Sequence, residues 1–196
     1  MNIFKYLVVL AFALLCASCS NLPFNERYAG ANWKKIIIAP FTGELAENAE
    51  FEFEHALAIS MTIEVVPASI SKMAIKKHGL EEEFSNDPNN TMIKLAELLN
   101  ADGVIFGDIH TVERRKTRSM NLSTSSARFS AKLVDVRNNS IVASSLQESS
   151  SLFSNEYELL QEITQESTNE FKVFFDELNP EKEGEFSFSK CFSLCS

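Results

Sequence analysis

The sequence predicts an α/β (α+β) fold, a single mixed β-sheet with helices packed on it, and three observations carry that reading. Two runs, Ile36-Ile37-Ile38-Ala39 and Val104-Ile105-Phe106, are apolar at consecutive positions, as in strands covered on both faces. Between and after them, apolar residues recur at helical spacing. From Ala127 the pattern alternates, turns at Asn138-Asn139 and runs back from Ile141, which is a hairpin signal. The predicted order is β-α-β-α-α-β-β-β-α, in one domain with no internal repeat.

The first segment is not part of that fold. Met1 to Lys5 carries one positive charge, Tyr6 to Leu15 are ten apolar or aromatic residues, and Cys16-Ala17-Ser18-Cys19-Ser20 follow. A basic start, a short apolar core and small residues before a cut site describe a secretory signal. The core is too short for a bilayer span, which needs about 20 residues. A cysteine after Ala17-Ser18 resembles the bacterial lipoprotein signal, although Cys16 stands where Leu is usual. That resemblance implies cleavage before Cys19 and a covalent diacylglycerol and N-acyl lipid on it; ordinary cleavage near Ala17 or Ser18 is the rival. The signal peptide would be residues 1–18. Residues 19–32 are polar, with Pro23 and Gly30, and read as the lipidated cysteine and a tether.

The domain is expected over 33–179. Pro40 ends the first strand. Ala49, Phe53, Ala56 and Leu57 give a first helix over 47–60, with Glu47, Glu50 and Glu54 on its opposite face. Residues 62–67 form a short strand. Ile70, Met73 and Ala74 mark a second helix stopped by Gly79. Residues 81–90, from Glu81-Glu82-Glu83 to Asn90, read as a polar loop. Asn90 or Thr91 caps a third helix with Met92, Leu95, Ala96 and Leu99 inward. Asp102-Gly103 stops it, and Gly107 in the next strand permits close packing. Asn155 and Glu158 have the spacing of a capping box. The stripe Leu160, Ile163, Ser167, Phe171, Phe174, Leu178 then follows one helix face up to Pro180. Residues 180–196 are tail.

Composition narrows function. Without residues 1–18 the chain has 178 residues, 17 basic and 27 acidic, a net charge of −10. That argues against nucleic-acid partners, which need basic phosphate contacts. Of four cysteines, Cys191 and Cys195 stay in the tail, where a disulfide or a pair of free thiols are both open. The three histidines, His55, His78 and His110, lack metal-ligand spacing, so no metal or other cofactor is expected. Asp108 and His110 share a strand face, so a hydrolase would need a pocket joining them to a serine. No G-x-S-x-G elbow or Gly-rich oxyanion loop occurs, and a non-enzymatic role is expected. Arg114, Arg115, Lys116 and Arg118 form the one basic cluster. They read as a solvated hairpin loop or as a partner-docking patch for an acidic protein or lipid headgroups.

The segments around Lys35–Phe41, Leu95–Ile109 and Ala131–Ser145 together resemble the CsgG-type lipoproteins and the wider group with the fold of the TolB amino-terminal domain. The resemblance covers roughly residues 34–150. It implies an outer-membrane lipoprotein facing the periplasm. Its partners would be the membrane, through the lipid, and envelope proteins or further copies of itself, in assembly or secretion of an envelope structure. CsgG-type chains also donate membrane hairpins to a pore. Here residues 113–126 read as too short and too polar for that, so no pore is expected. An LpoB-like activator of a peptidoglycan synthase is the alternative, and a hydrolase or metal-dependent enzyme is the alternative of another class.

Overall fold

The computed structural model describes residues 24–58, 63–117 and 122–180. Its strands are β1 (Lys35–Ile38), β2 (Thr42–Gly43), β3 (Glu64–Val66), β4 (Gly103–Thr117), β5 (Leu122–Asp135) and β6 (Ile141–Ser151). Its helices are α1 (Ala46–Ala58), α2 (Ala68–Lys77), α3 (Glu81–Asn86), α4 (Pro88–Leu98) and α5 (Glu156–Leu178). One six-stranded sheet runs in the order β3-β1-β4-β5-β6, with β2 also paired to β4. β1 is parallel to β3 and β4, whereas β4, β5 and β6 are antiparallel. The expected mixed sheet with helices packed on it is the fold observed.

The two faces of the sheet are covered unequally. Strand alternation sends Ile36, Ile38, Ile105, Ile109, Phe129 and Leu133 to one face, where α1 and α5 add Phe53, Leu57, Leu160, Ile163, Phe171 and Phe174. Aromatic rings meet edge to face there: Phe53 with Phe171 at 5.4 Å and Phe171 with Phe174 at 5.1 Å. The other face presents Ile37, Ala39, Val104 and Val136 to Ile75, Met92, Leu95 and Ala96 of α2 and α4. Those helices cover β1 and the first residues of β4, and leave the rest of β4–β6 open on this face.

The apolar stripe of the last helix is buried as its spacing predicts, and Asn155 with Glu158 forms the capping box. Gly107 lies under the Phe41 ring, so close that an added Cβ would stand 2.6 Å from it. Asn139 takes a positive φ of 56° in the β5–β6 turn, which Asn tolerates.

Several expectations fail for physical reasons. The tether of residues 19–32 is, from Phe24 on, part of the packed domain. Phe24 bridges Ala143 and stacks on Phe174 at 6.2 Å, and Tyr28 meets Trp33 edge to face. The N–H groups of Gly30 and Asn32 donate to Glu177 and Leu178 carbonyls. A polar sequence with two apolar rings docks through those rings and its backbone. Residues 81–86 are helix α3, not loop, since three glutamates in a first turn favour the helix dipole. Asp87, not Asn90 or Thr91, caps α4, and Pro88 takes the first helical position, where its missing N–H is no loss. β2 has no sequence signal at two residues. Glu50 and Glu54 are not on a solvated face: Glu50 accepts the Phe41 N–H at 3.0 Å and pairs with Lys72 at 2.8 Å. Glu54 accepts the Ala68 N–H that begins α2.

The largest correction is the hairpin. Residues 113–126, expected as a polar loop, continue β4 and β5 in register to Thr117↔Leu122. The length argument against a long hairpin therefore fails, while the polar sequence stands. The ladder is made by backbone groups that every residue carries, so these rows form strand without apolar alternation.

Candidate functional site

Where α2–α4 stop covering the second face, a groove of about 590 Å³ opens over β4, β5 and β6. Its apolar wall is Phe84, Met92, Phe106, Ile141 and Leu146. Its floor carries side chains from alternate positions: Asp108 and His110 of β4, and Arg128, Ser130 and Lys132 of β5.

Register brings three of these together. Asp108 lies opposite Ser130. The ladder then slips between Ile109 and Thr111, leaving His110 as the extra residue of a bulge, a device that re-aims a side chain. His110 Nδ1 stands 3.0 Å from Asp108 Oδ2, and His110 Nε2 stands 2.8 Å from Ser130 Oγ. Thr42 Oγ1 donates to Asp108 Oδ1 at 2.6 Å. A carboxylate only accepts, so Nδ1 faces Asp108 as the donor; Nε2 then accepts the Ser130 hydroxyl when the ring is neutral and donates to it when the ring is charged. The pocket joining Asp108, His110 and a serine thus exists.

Acyl transfer also needs donors aimed at the oxyanion. Ser130 sits on an interior strand, paired to Asp108 on one side and Leu146 on the other. The ladder takes up its N–H, and hydrogen bonds in a sheet run in its plane and not toward this face. The cations beside it are occupied loosely. Lys132 Nζ lies 5.4 Å from the centre of the Phe106 ring, and Arg128 stands 4.0 Å from Glu148. The groove is therefore a polar floor with apolar walls, well suited to holding a ligand segment.

The other predicted positions fall elsewhere. Arg114, Arg115 and Lys116 lie on β4 beyond the groove, paired with Ser125, Thr124 and Ser123. Arg118, Cys19, Cys191 and Cys195 lie outside the described residues. His55 is exposed on α1 with Phe51 stacked on it at 6.2 Å. Among the described residues no three His, Cys, Asp or Glu side chains gather to hold a metal, and no helix is long and apolar enough to cross a membrane. Ser130 and Thr42 were missed. The alternation that sets Arg128, Ser130 and Lys132 on one face was legible, but the pairing with Asp108 was not.

One shifted acid lies away from the groove. Burial raises the Glu54 carboxyl above its usual range, and Glu50 nearby adds to this; the Ala68 N–H and Lys72 oppose it.

A small α+β domain with an incompletely covered mixed sheet is the class these features define. No protein-family model matches the chain, and no curated protein matches it. Solved structures do, and they include bacterial lipoproteins. Lipoprotein GNA1162 from Neisseria meningitidis is similar at 18% identity and a TM-score of 0.50, over 71% of this chain and 99% of that one. The PelC dodecamer from Paraburkholderia phytofirmans is similar at 14% identity and 0.49, over 78% and 94%. The LpoB C-terminal domain from Salmonella enterica is similar at 19% identity and 0.43, over 62% and 83%. The likeness to GNA1162 shows the fold.

Proposed function

We propose that this chain is an envelope lipoprotein, anchored through acylated Cys19 at the periplasmic face of the outer membrane, that works by binding and not by catalysis. Its role is that of an accessory in assembling or exporting an envelope structure, with other envelope proteins or copies of itself as partners. The half-covered sheet carries this reading. A fold that buries one face under α1 and α5 leaves a groove on the other, and its polar floor is already hydrogen-bonded within itself. Such a floor orients a partner segment at little desolvation cost, while Ile141 and Leu146 supply exposed apolar area. The signal pattern ending at Cys19 and the fold shared with a lipoprotein support the location. In lipoprotein signals of this type an Asp after the cysteine is the usual mark of inner-membrane retention, and Ser20 stands there instead, which supports the outer membrane.

The test is capture of the lipidated protein and its Leu146→Asp variant from membranes. A protein retained by the parent chain and lost with the variant supports the reading. Recovery of phospholipid alone from both sinks it.

The LpoB-like activator alternative calls for a long tether across the cell-wall mesh. Here only Ser20 to Pro23 separate Cys19 from the docked Phe24, which disfavours it. A second reading, a serine hydrolase, is favoured by the Asp108–His110–Ser130 line. A fluorophosphonate that labelled the parent chain but not Ser130→Ala would establish it. Absence of labelling removes it.

A further inference from the structure

Phe24 bridges Ala143 antiparallel, and the Asn25 N–H donates to the Val142 carbonyl at 2.8 Å. The backbone at Phe24 therefore points, in its amino-terminal direction, toward the Ser151 end of β6. From Cys19 to Phe24 is five residues, at most about 17 Å of extended chain. An anchor at Cys19 must hold the β6 edge of the sheet close to the bilayer.

The same end of β6 carries apolar side chains that stand exposed among the described residues. Phe153 is 96% exposed, Tyr157 58% and Leu152 49%. The strand rows place Arg114 opposite Ser125, and Ser125 opposite Ser151, so the basic run 114–116 stands on this end of the sheet. Glu156 and Glu158 of the first turn of α5 stand there too. The end is therefore not a simple cationic patch, and its apolar and aromatic residues are what a lipid surface would take. Aromatic and leucine side chains seat about 5–10 Å into the boundary between headgroups and acyl chains, and Tyr suits the water interface.

We infer that Leu152, Phe153 and Tyr157 form a second, non-covalent contact with the bilayer, which seats the domain with its β6 edge toward the membrane. This rests on lipidation of Cys19. The seated domain keeps the groove open along the membrane surface, because the groove lies on a face of the sheet and not on its edge.

The test uses the full mature lipidated chain with Phe153→Trp, reconstituted in phosphatidylethanolamine–phosphatidylglycerol vesicles containing brominated acyl chains. Trp33, 2% exposed in the core, supplies a fixed background. The added tryptophan should emit to the blue of the same substitution in a soluble Cys19→Ser chain, and brominated lipid should cut its emission at least twofold. Ile70→Trp, exposed on α2, which follows the opposite edge strand β3 and packs on β1, should emit as in water. A chain carrying an unmodified Cys19 and not retained on vesicles would overturn the anchor and this inference together. A chain that is acylated and retained but leaves the tryptophan of the Phe153→Trp variant unquenched overturns the second contact alone. Equal quenching at both positions overturns the orientation. A blue shift in native membranes but not in pure lipid assigns the patch to a protein and overturns the lipid contact.

Discussion

The two faces of this sheet are made by the same strands and do opposite things. Every odd-numbered residue from Ala127 to Leu133 is buried against α1 and α5, whereas Arg128, Ser130 and Lys132 line an open groove. Alternation with period two makes this division automatic. Over β5, one face holds the fold and the other is open, so substitutions on the two sides of this strand should separate stability from binding.

The largest expected effect is on the closed face. Phe171→Ala removes a ring packed against Phe53 and Phe174 and should lower unfolding free energy by about 3–5 kcal/mol in urea titration. A loss under about 1 kcal/mol would show that this face is not the structural one. Gly107→Ala adds a methyl against the Phe41 ring on the same face and should cost about 1–3 kcal/mol. Asp102 belongs to neither face. It accepts the Lys34 and Lys35 N–H groups at 2.7 and 3.2 Å, joining the start of β1 to the entry into β4. Asp102→Ala should cost about 1–2 kcal/mol, since charged acceptors are worth more than neutral ones but this one is partly exposed.

On the open face, Ser130→Ala and His110→Ala should each change stability by less than about 1 kcal/mol, and capture of the partner should fall. A large loss of stability at either position would break the division between faces. The smallest effect is at Glu54. A carboxyl whose value is raised in the folded state contributes most below its unfolded value, and that contribution fades as pH rises through the folded value. The stability of the parent chain relative to Glu54→Gln should therefore decline as pH increases from the ordinary carboxylate range toward neutral. A difference that grew with pH would reverse the assignment.

What could be read in advance follows from what makes a pattern. The long helix was legible because Leu160 to Leu178 face a core along their whole length and Asn155 caps with its own side chain. The outer hairpin was not, because Thr124 to Ser126 and Glu113 to Lys116 owe their strand conformation to partners across the ladder. The docking of Phe24 was hidden for a similar reason: its ring partner, Phe174, lies at the far end of the domain sequence. In the groove, the floor residues were visible as one strand face. The bulge that turns His110 onto Ser130 depends on register, which a single sequence does not show.

That long separation has a consequence for how the protein comes to exist. Trp33 receives the Asn179 amide through its carbonyl, 146 positions later, and Gly30 and Asn32 close on Glu177 and Leu178. A chain delivered amino end first cannot finish its first folded residues until its last helix arrives. Contacts of this span slow folding, since loop closure precedes their reward. The seam joins the two ends of the domain, so the amino-terminal segment is fastened only after the carboxyl-terminal helix has formed.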